Sequence, residues 1–395
     1  MSWERLQILT LMMPASKYRT LWLDSWSYKA VQPSDEESTK IEIIEYSGMI
    51  RPFPRTLHRA TRLLLVLLVF GTLIYSGLYL SVDYRRKIPQ ANRVLSESHI
   101  NAQARAQLDI NWSNYAYTQY VTDPTYLRNS LMIFESLHRL GSKADRLMMH
   151  PEQWSAESNT SEAGLLRKAR DVYNVKLQPV HVKRFENDGS TWAESFTKLF
   201  AFNQTQYQRV ISLDSDATVL QSMDELFFLP RAPVAMPRAY WIDDSFSTQL
   251  VVIEPSALEF ERIQHAFEHR TMIEFDMEIM NQLYGQDCLI LPHRRYDLVT
   301  GEFRSKEHDR YLGSSSEIWD ARKVLEEVSY LHFSDWPYPK PWSEYSDVTH
   351  AKLQPPCQRN SLDEEDCSTR DVWNQIYLDF MRRRQEVCGS KFIPD

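Results

Sequence analysis

From residue 115 onward, apolar and polar positions fall into alternating blocks of two kinds. Residues 115–122, 146–149, 176–182 and 209–213 read as short strands, the last of them largely apolar. Between them, residues 126–140 carry Leu131, Phe134, Leu137 and Leu140 at helical spacing, and Gly141 follows as a stop signal. Residues 163–173 and 192–202 predict two further helices. Strands alternating with helices at this spacing predict an α/β domain with a mainly parallel sheet and helices on both faces. In such folds ligands gather at the C-terminal ends of strands. The run Arg-Val-Ile-Ser-Leu at 209–213 ends directly at Asp214, in that kind of position.

Upstream the pattern changes. Residues 63–82 contain no charge over twenty positions. As a helix they would extend about 30 Å, enough to cross a bilayer, and they lack the polar stripe of a buried core helix. They begin too far from Met1, and run too long, for a cleaved signal peptide. The expected organisation is a tail at 1–62, a membrane anchor at 63–82, a polar stem at 83–110, a catalytic-size domain at 111–345 and a C-terminal extension at 346–395. Charge hardly decides orientation, since Arg51, Arg55, Arg59 and Arg62 precede the span while Arg85, Arg86, Lys87 and Arg93 follow it. The Asn-x-Ser/Thr sequons at Asn111, Asn159 and Asn203 all lie after the span and favour a lumenal C-terminal part. Asn111 and Asn159 are the expected glycan carriers, with Asn203 disfavoured by a helical setting. The location expected is the Golgi membrane, single-pass, with the domain in the lumen.

Composition narrows the function. The chain has 395 residues and a net charge of -8, with 25% charged and 43% hydrophobic residues. It is globular in bulk, and its acidity argues against a nucleic-acid partner, which would need a basic face. Of four cysteines, Cys357, Cys367 and Cys388 fall near the end, where a disulfide would staple a loop-rich tail; free thiols are the alternative. No Cys-x-x-Cys pair and no Gly-rich phosphate loop occur, which argues against a zinc ribbon and a dinucleotide site. The Arg382-Arg383-Arg384 run reads as a solvated helix face.

The chemistry concentrates at Asp214-Ser215-Asp216. Two carboxylates two residues apart at a strand end can face one hard cation, which takes oxygen ligands. Such a cation offsets the charge that builds on a departing diphosphate. An ordinary surface turn can show the same tripeptide, but here apolar residues flank it on both sides. The run SFTKLFAFNQTQYQRVISLDSDATVLQSMDELF, with HFSDWPYPKPW near the C-terminus, resembles the glycogenin-like family 8 glycosyltransferases over roughly residues 112–342. The segment YLRNSLMIFESLHRLGSKADRLMMHP is similar to a narrower fungal, membrane-anchored subgroup of glucose N-acetyltransferases, also described as N-acetylglucosaminyltransferases.

That resemblance implies a GT-A-like domain and a retaining, metal-dependent transfer of a sugar, GlcNAc in first place, from a UDP-sugar to a glycan acceptor, a mannose-rich one in first place; UDP-glucose and UDP-galactose donors stay open. It implies manganese held by Asp214, Asp216 and His332, with Ser215 and Lys340 at the diphosphate and Lys198 close to both nucleotide and metal loop. Tyr117 and Tyr120 are the candidates for stacking on uracil, one of them with a core position as its alternative. Asp276 matches the family's Asp-Gln element, but Met277 replaces the glutamine, so the reading is same-face substitution without a protein nucleophile, Asp276 stabilising positive charge on the sugar. The segment 243–249, from Asp243 and Asp244 through Thr248 to Gln249, would line the donor sugar, with a solvated turn as the alternative for its two aspartates. The insert between His332 and Lys340 departs from the family's shorter spacing. Two other readings compete: a non-catalytic, membrane-tethered glycan-binding protein on the same fold, and a metal-dependent phosphohydrolase, which would need more acidic and histidine ligands than the sequence clusters.

Overall fold

The computed structural model describes residues 93–105, 109–181, 195–242, 244–271, 274–359 and 365–389. The expected tail and anchor, 1–82, lie outside these residues. Among the described residues no helix is long and apolar enough to cross a membrane.

The strands are β1 (Arg93–Val94), β2 (Tyr115–Tyr120), β3 (Asp145–Pro151), β4 (Val175–Val180), β5 (Arg209–Leu213), β6 (Ala217–Val219), β7 (Val234–Pro237), β8 (Leu250–Ile253), β9 (Leu289–Leu291), β10 (Leu298–Val299) and β11 (Tyr330–His332). Eight of them form one sheet in the order β1-β9-β7-β8-β5-β2-β3-β4. All neighbours run parallel except at β8, which is antiparallel to both β5 and β7. The mainly parallel sheet expected from the alternation is therefore present. β5 lies in its middle and is buried at every position, as a strand covered on both faces must be. A second, three-stranded sheet, β10-β11-β6, carries the chain onward from the end of β5.

The helices that matter here are α1 (Glu97–Arg105), α2 (Pro124–Arg139), α3 (Ser161–Tyr173), α4 (Ala257–Glu268), α5 (Asp276–Tyr284) and α6 (Ser368–Cys388). Local chemistry sets their ends. The Asp123 side chain accepts from the amides of Thr125 and Tyr126 at the start of α2, with Pro124 in the first turn. Asn174 ends α3 at φ 53°, a conformation asparagine tolerates. The stretch expected as a helix at 192–202 is a run of 3₁₀ turns over Ser195–Asn203.

Three expectations need correction. Residues 93–105 are not stem: β1 pairs with β9, and Ile100 of α1 is buried in the core. The C-terminal extension is not loop-rich, because its largest part is α6, which buries Trp373, Ile376, Tyr377 and Phe380. Nor is the arginine run a solvated face. Only Arg382 is exposed; Arg383 pairs with Glu135, and Arg384 is buried with its Nε donating to Asn129. The disulfide joins Cys357 and Cys367, whose Cα atoms are 4.3 Å apart, while Cys288 and Cys388 form no disulfide among the described residues.

Candidate active site

Asp214, Ser215 and Asp216 occupy the step between the two sheets. The Asp214 amide donates to the Gln249 carbonyl at 2.8 Å, continuing the β5–β8 ladder by one residue. The Asp216 carbonyl accepts from Phe333 at 2.9 Å. β11 pairs antiparallel with β6, placing His332 opposite Ala217, the residue after Asp216. Strand pairing thus joins residues 116 positions apart: His332 Nε2 lies 2.9 Å from Asp216 Oδ1. The Lys340 ammonium donates to the other oxygen, Oδ2, at 2.7 Å and also to the Phe333 carbonyl. Tyr330 pins the corner from behind, its hydroxyl 3.0 Å from the carbonyl oxygens of both Asp214 and Gln249.

On the other side of Asp214 is a buried ion-pair chain. Lys198 Nζ donates to Asp214 Oδ1 at 3.2 Å and pairs with Asp276. It also reaches the Thr248 carbonyl and hydroxyl, each at 3.2 Å. Thr248 Oγ1 in turn donates to Asp276 Oδ2 at 2.7 Å. Asp276 opens α5, where the helix dipole favours a negative charge. Lys198 therefore holds two carboxylates in place at once.

The electrostatics follow from this layout. Burial raises the Asp214 carboxyl to about 7; Asp216 and Asp276 push the same way, and Lys198 only partly opposes them. Burial also works against the Asp216 charge, but His332 and Lys340 outweigh it and hold that carboxyl below the ordinary range. Burial lowers His332, with Asp216 partly offsetting, so the imidazole is disposed to stay neutral. Burial opposes the Lys198 ammonium too, yet Asp214 and Asp276 keep it above its usual range.

This donor set fits a divalent cation. One ligand atom each from Asp214, Asp216 and His332 lies within 4.8 Å of the other two. Carboxylate oxygens with a neutral imidazole suit manganese-type ions. The buried His332 Nδ1 has no hydrogen-bond partner among the described residues, so the ring's hydrogen bond is the one from Nε2 to Asp216. Cys357, Cys367 and Glu365 also cluster, but their two sulfurs are joined to each other and offer no thiolate.

The two tyrosines part company. Three positions apart on β2, they face opposite sides of the sheet. Tyr117 is wholly buried, edge-on to Phe227 at 5.1 Å, with its hydroxyl donating to Asp224 at 2.9 Å. It belongs to the core and has no face for uracil, correcting that assignment. Tyr120 stays half-buried beside the site: burial, then Asp214, Asp276 and Asp216, raise its phenol well above the usual value. Tyr126, not singled out from sequence, is raised by burial and then by Asp216, and its ring meets Trp342 edge-on at 6.1 Å. Thr248, part of the 243–249 segment expected at the donor sugar, binds Lys198 and Asp276, while Tyr330 was missed. Asp243 itself lies outside the described residues, and Asp244 is exposed at φ 55°. Asn111, Asn159 and Asn203 are all exposed.

No family model matches the chain. A protein of Gibberella zeae named glucose N-acetyltransferase 1 is 52% identical over 292 residues, covering 71% of this chain and 64% of that protein. The chain thus spans less than two thirds of that relative's length. A glucose N-acetyltransferase 1 of Aspergillus fumigatus is 44% identical over 326 residues, covering 77% of this chain and 83% of that protein. A glycogenin of Neurospora crassa is 26% identical over 148 residues, 35% of this chain and 20% of its own length.

Proposed function

The chain belongs to the glucose N-acetyltransferase 1 family, and from that premise we propose a GT-A-like, retaining glycosyltransferase that moves GlcNAc from UDP-GlcNAc to a mannose-rich glycan. The observation that carries this reading is the convergence of Asp214, Asp216 and His332 within 4.8 Å, flanked by Lys198 and Lys340. The relatives' name, taken literally, describes acetyl transfer. That reaction calls for a base and an oxyanion hole rather than three ligands suited to a hard cation. Transfer of a whole sugar from a nucleotide diphosphate calls for the arrangement present.

A bound manganese ion would act as a Lewis acid on the diphosphate as its charge develops. The chain's own residues do the rest. Asp214, Asp216 and His332 would hold that ion. Lys340, whose ammonium donates to Asp216 Oδ2, is the cation placed to pair with a phosphate oxygen. Lys198 keeps Asp214 aimed at the site and ties it to Asp276. Asp276 does not act alone: Lys198 shares its charge and Thr248 fixes its orientation. It serves the sugar's reacting face as a held dipole with Lys198, and the leaving phosphate takes the acceptor's proton. Tyr120 is the remaining stacking candidate for the base.

A sugar-nucleotide panel tests the donor. UDP-GlcNAc should release UDP faster than UDP-glucose or UDP-galactose, and Asp276→Asn should lower kcat by about 10²-fold with little change in donor KM, because its contribution is made in the transition state. Preference for another donor would refute the GlcNAc assignment.

Residues 63–82 are proposed as the anchor of a type II protein in the Golgi membrane, with the domain lumenal. The exposed Asn111 and Asn159 and the Cys357–Cys367 bond support that orientation. Glycosidase treatment of the native protein should shift its gel band. An unshifted band, with the domain digested by protease outside sealed vesicles, contradicts the orientation.

A further inference from the structure

The insert between His332 and Lys340 has no part in the site described so far. Both its ends are fixed there, through His332 and Lys340 on the two oxygens of Asp216. Its middle is anchored independently. The buried Asp335 carboxylate receives Arg304 at 2.6 Å, the Trp373 indole N–H at 2.7 Å and the Tyr377 hydroxyl at 3.3 Å. The Tyr338 amide returns to the Asp335 carbonyl at 2.7 Å, and the buried Tyr338 ring packs on Trp373 at 4.5 Å. The Gly301 amide donates to the Ser334 carbonyl at 3.0 Å, an approach that a Cβ at position 301 would obstruct, meeting that oxygen at 2.8 Å.

Between these two buried anchors Trp336 is 61% exposed. No other Phe, Tyr or Trp is exposed among the described residues. One exposed ring is ordinary by itself; this one is carried on a loop held at both ends, so it can meet a ligand without further ordering. It lies four positions from His332 and four from Lys340, so its Cα is within roughly 14 Å of each along the chain. A rigid aromatic face at that distance from the phosphates suits the apolar C–H face of a pyranose, with little ordering needed on binding.

We propose that Trp336 is the stacking platform for the acceptor glycan, binding a sugar of the oligosaccharide beyond the one that reacts. This rests on the glycosyltransferase reading above. The donor's groups are already matched by Asp214, Asp216, His332, Lys340 and Tyr120, whereas the acceptor has no other assigned contact.

Transfer from UDP-GlcNAc to a mannose-rich oligosaccharide, measured for wild type, Trp336→Ala and Trp336→Tyr, tests it. The alanine variant should raise the acceptor KM about tenfold, as loss of a tryptophan hot spot does, and leave the donor KM within twofold of wild type; tyrosine should restore most of the affinity. An unchanged acceptor KM, or donor and acceptor KM rising together, overturns the proposal. Calorimetric titration of the same oligosaccharide separates the two readings. Binding lost in Trp336→Ala supports the platform even if no sugar is transferred. Equal binding by both proteins, or none by wild type, rejects it.

Discussion

Replacing Asp216 by asparagine should abolish manganese-dependent turnover, lowering kcat by about 10²–10³-fold, while the protein remains folded. Asp216 is the residue on which the site converges: His332 and Lys340 take its two oxygens, and β6 and β11 meet around its backbone. Asparagine keeps the size and one acceptor oxygen but loses the charge that a hard cation requires. The stability cost should be modest. Lys340 is partly exposed and can turn to solvent, and burial already favours a neutral His332. Circular dichroism would check the fold, calorimetry the loss of manganese binding, and released UDP the turnover. Full activity of the variant in a chelator would remove Asp216 from the mechanism.

Lys198→Met should cost about 3–5 kcal/mol of stability in metal-free protein, because it leaves two buried carboxylates without their shared cation. Lys198, Asp214 and Asp276 side chains are 6%, 17% and 7% exposed, so water cannot replace the lost charge. The deficit should depend on pH. Burial already raises Asp214 to about 7 in the native protein, above its unfolded value, so its charge is destabilising and the penalty grows as pH rises. At pH 5 the Asp214 carboxyl carries a proton with or without Lys198. As pH passes 7 the native protein ionises Asp214 beside Lys198, and the variant has no cation there, so the difference widens. Manganese should raise the variant's melting temperature more than the native protein's, since the ion supplies positive charge at Asp214. Equal melting temperatures for the two proteins without metal would contradict the ion-pair account.

What could be read in the sequence was whatever local pattern determines. The run at 209–213 and its terminal Asp214 were legible because a strand buried on both faces is continuously apolar. α2 was legible from its apolar spacing; the cap at Asp123-Pro124 was a cue left unused, and the expected start at 126 is two residues late. The pairing of β6 with β11 was not, for no periodicity records that His332 will lie opposite Ala217; only the surrounding Lys-Pro-Trp element pointed to the histidine. Tyr117 shows a cue left unused, since residues three apart on a strand cannot share a face. α6 shows another: Trp373, Ile376, Tyr377, Phe380 and Val387 form a helical stripe, hidden by the polar and charged residues between them. Lys198 was recognised by its motif, but its ion pair with Asp276 depends on α5 beginning beside the 3₁₀ turns, a long-range contact.

The central claim is that this site transfers an intact GlcNAc with help from a divalent cation. Proton NMR of the product formed from UDP-GlcNAc and a mannose-rich acceptor, with manganese and then with chelator, tests it most directly. The account requires an α-linked GlcNAc that appears with manganese and not with chelator. A β-linked product, a product acetylated without a new sugar, or equal transfer in chelator would contradict it.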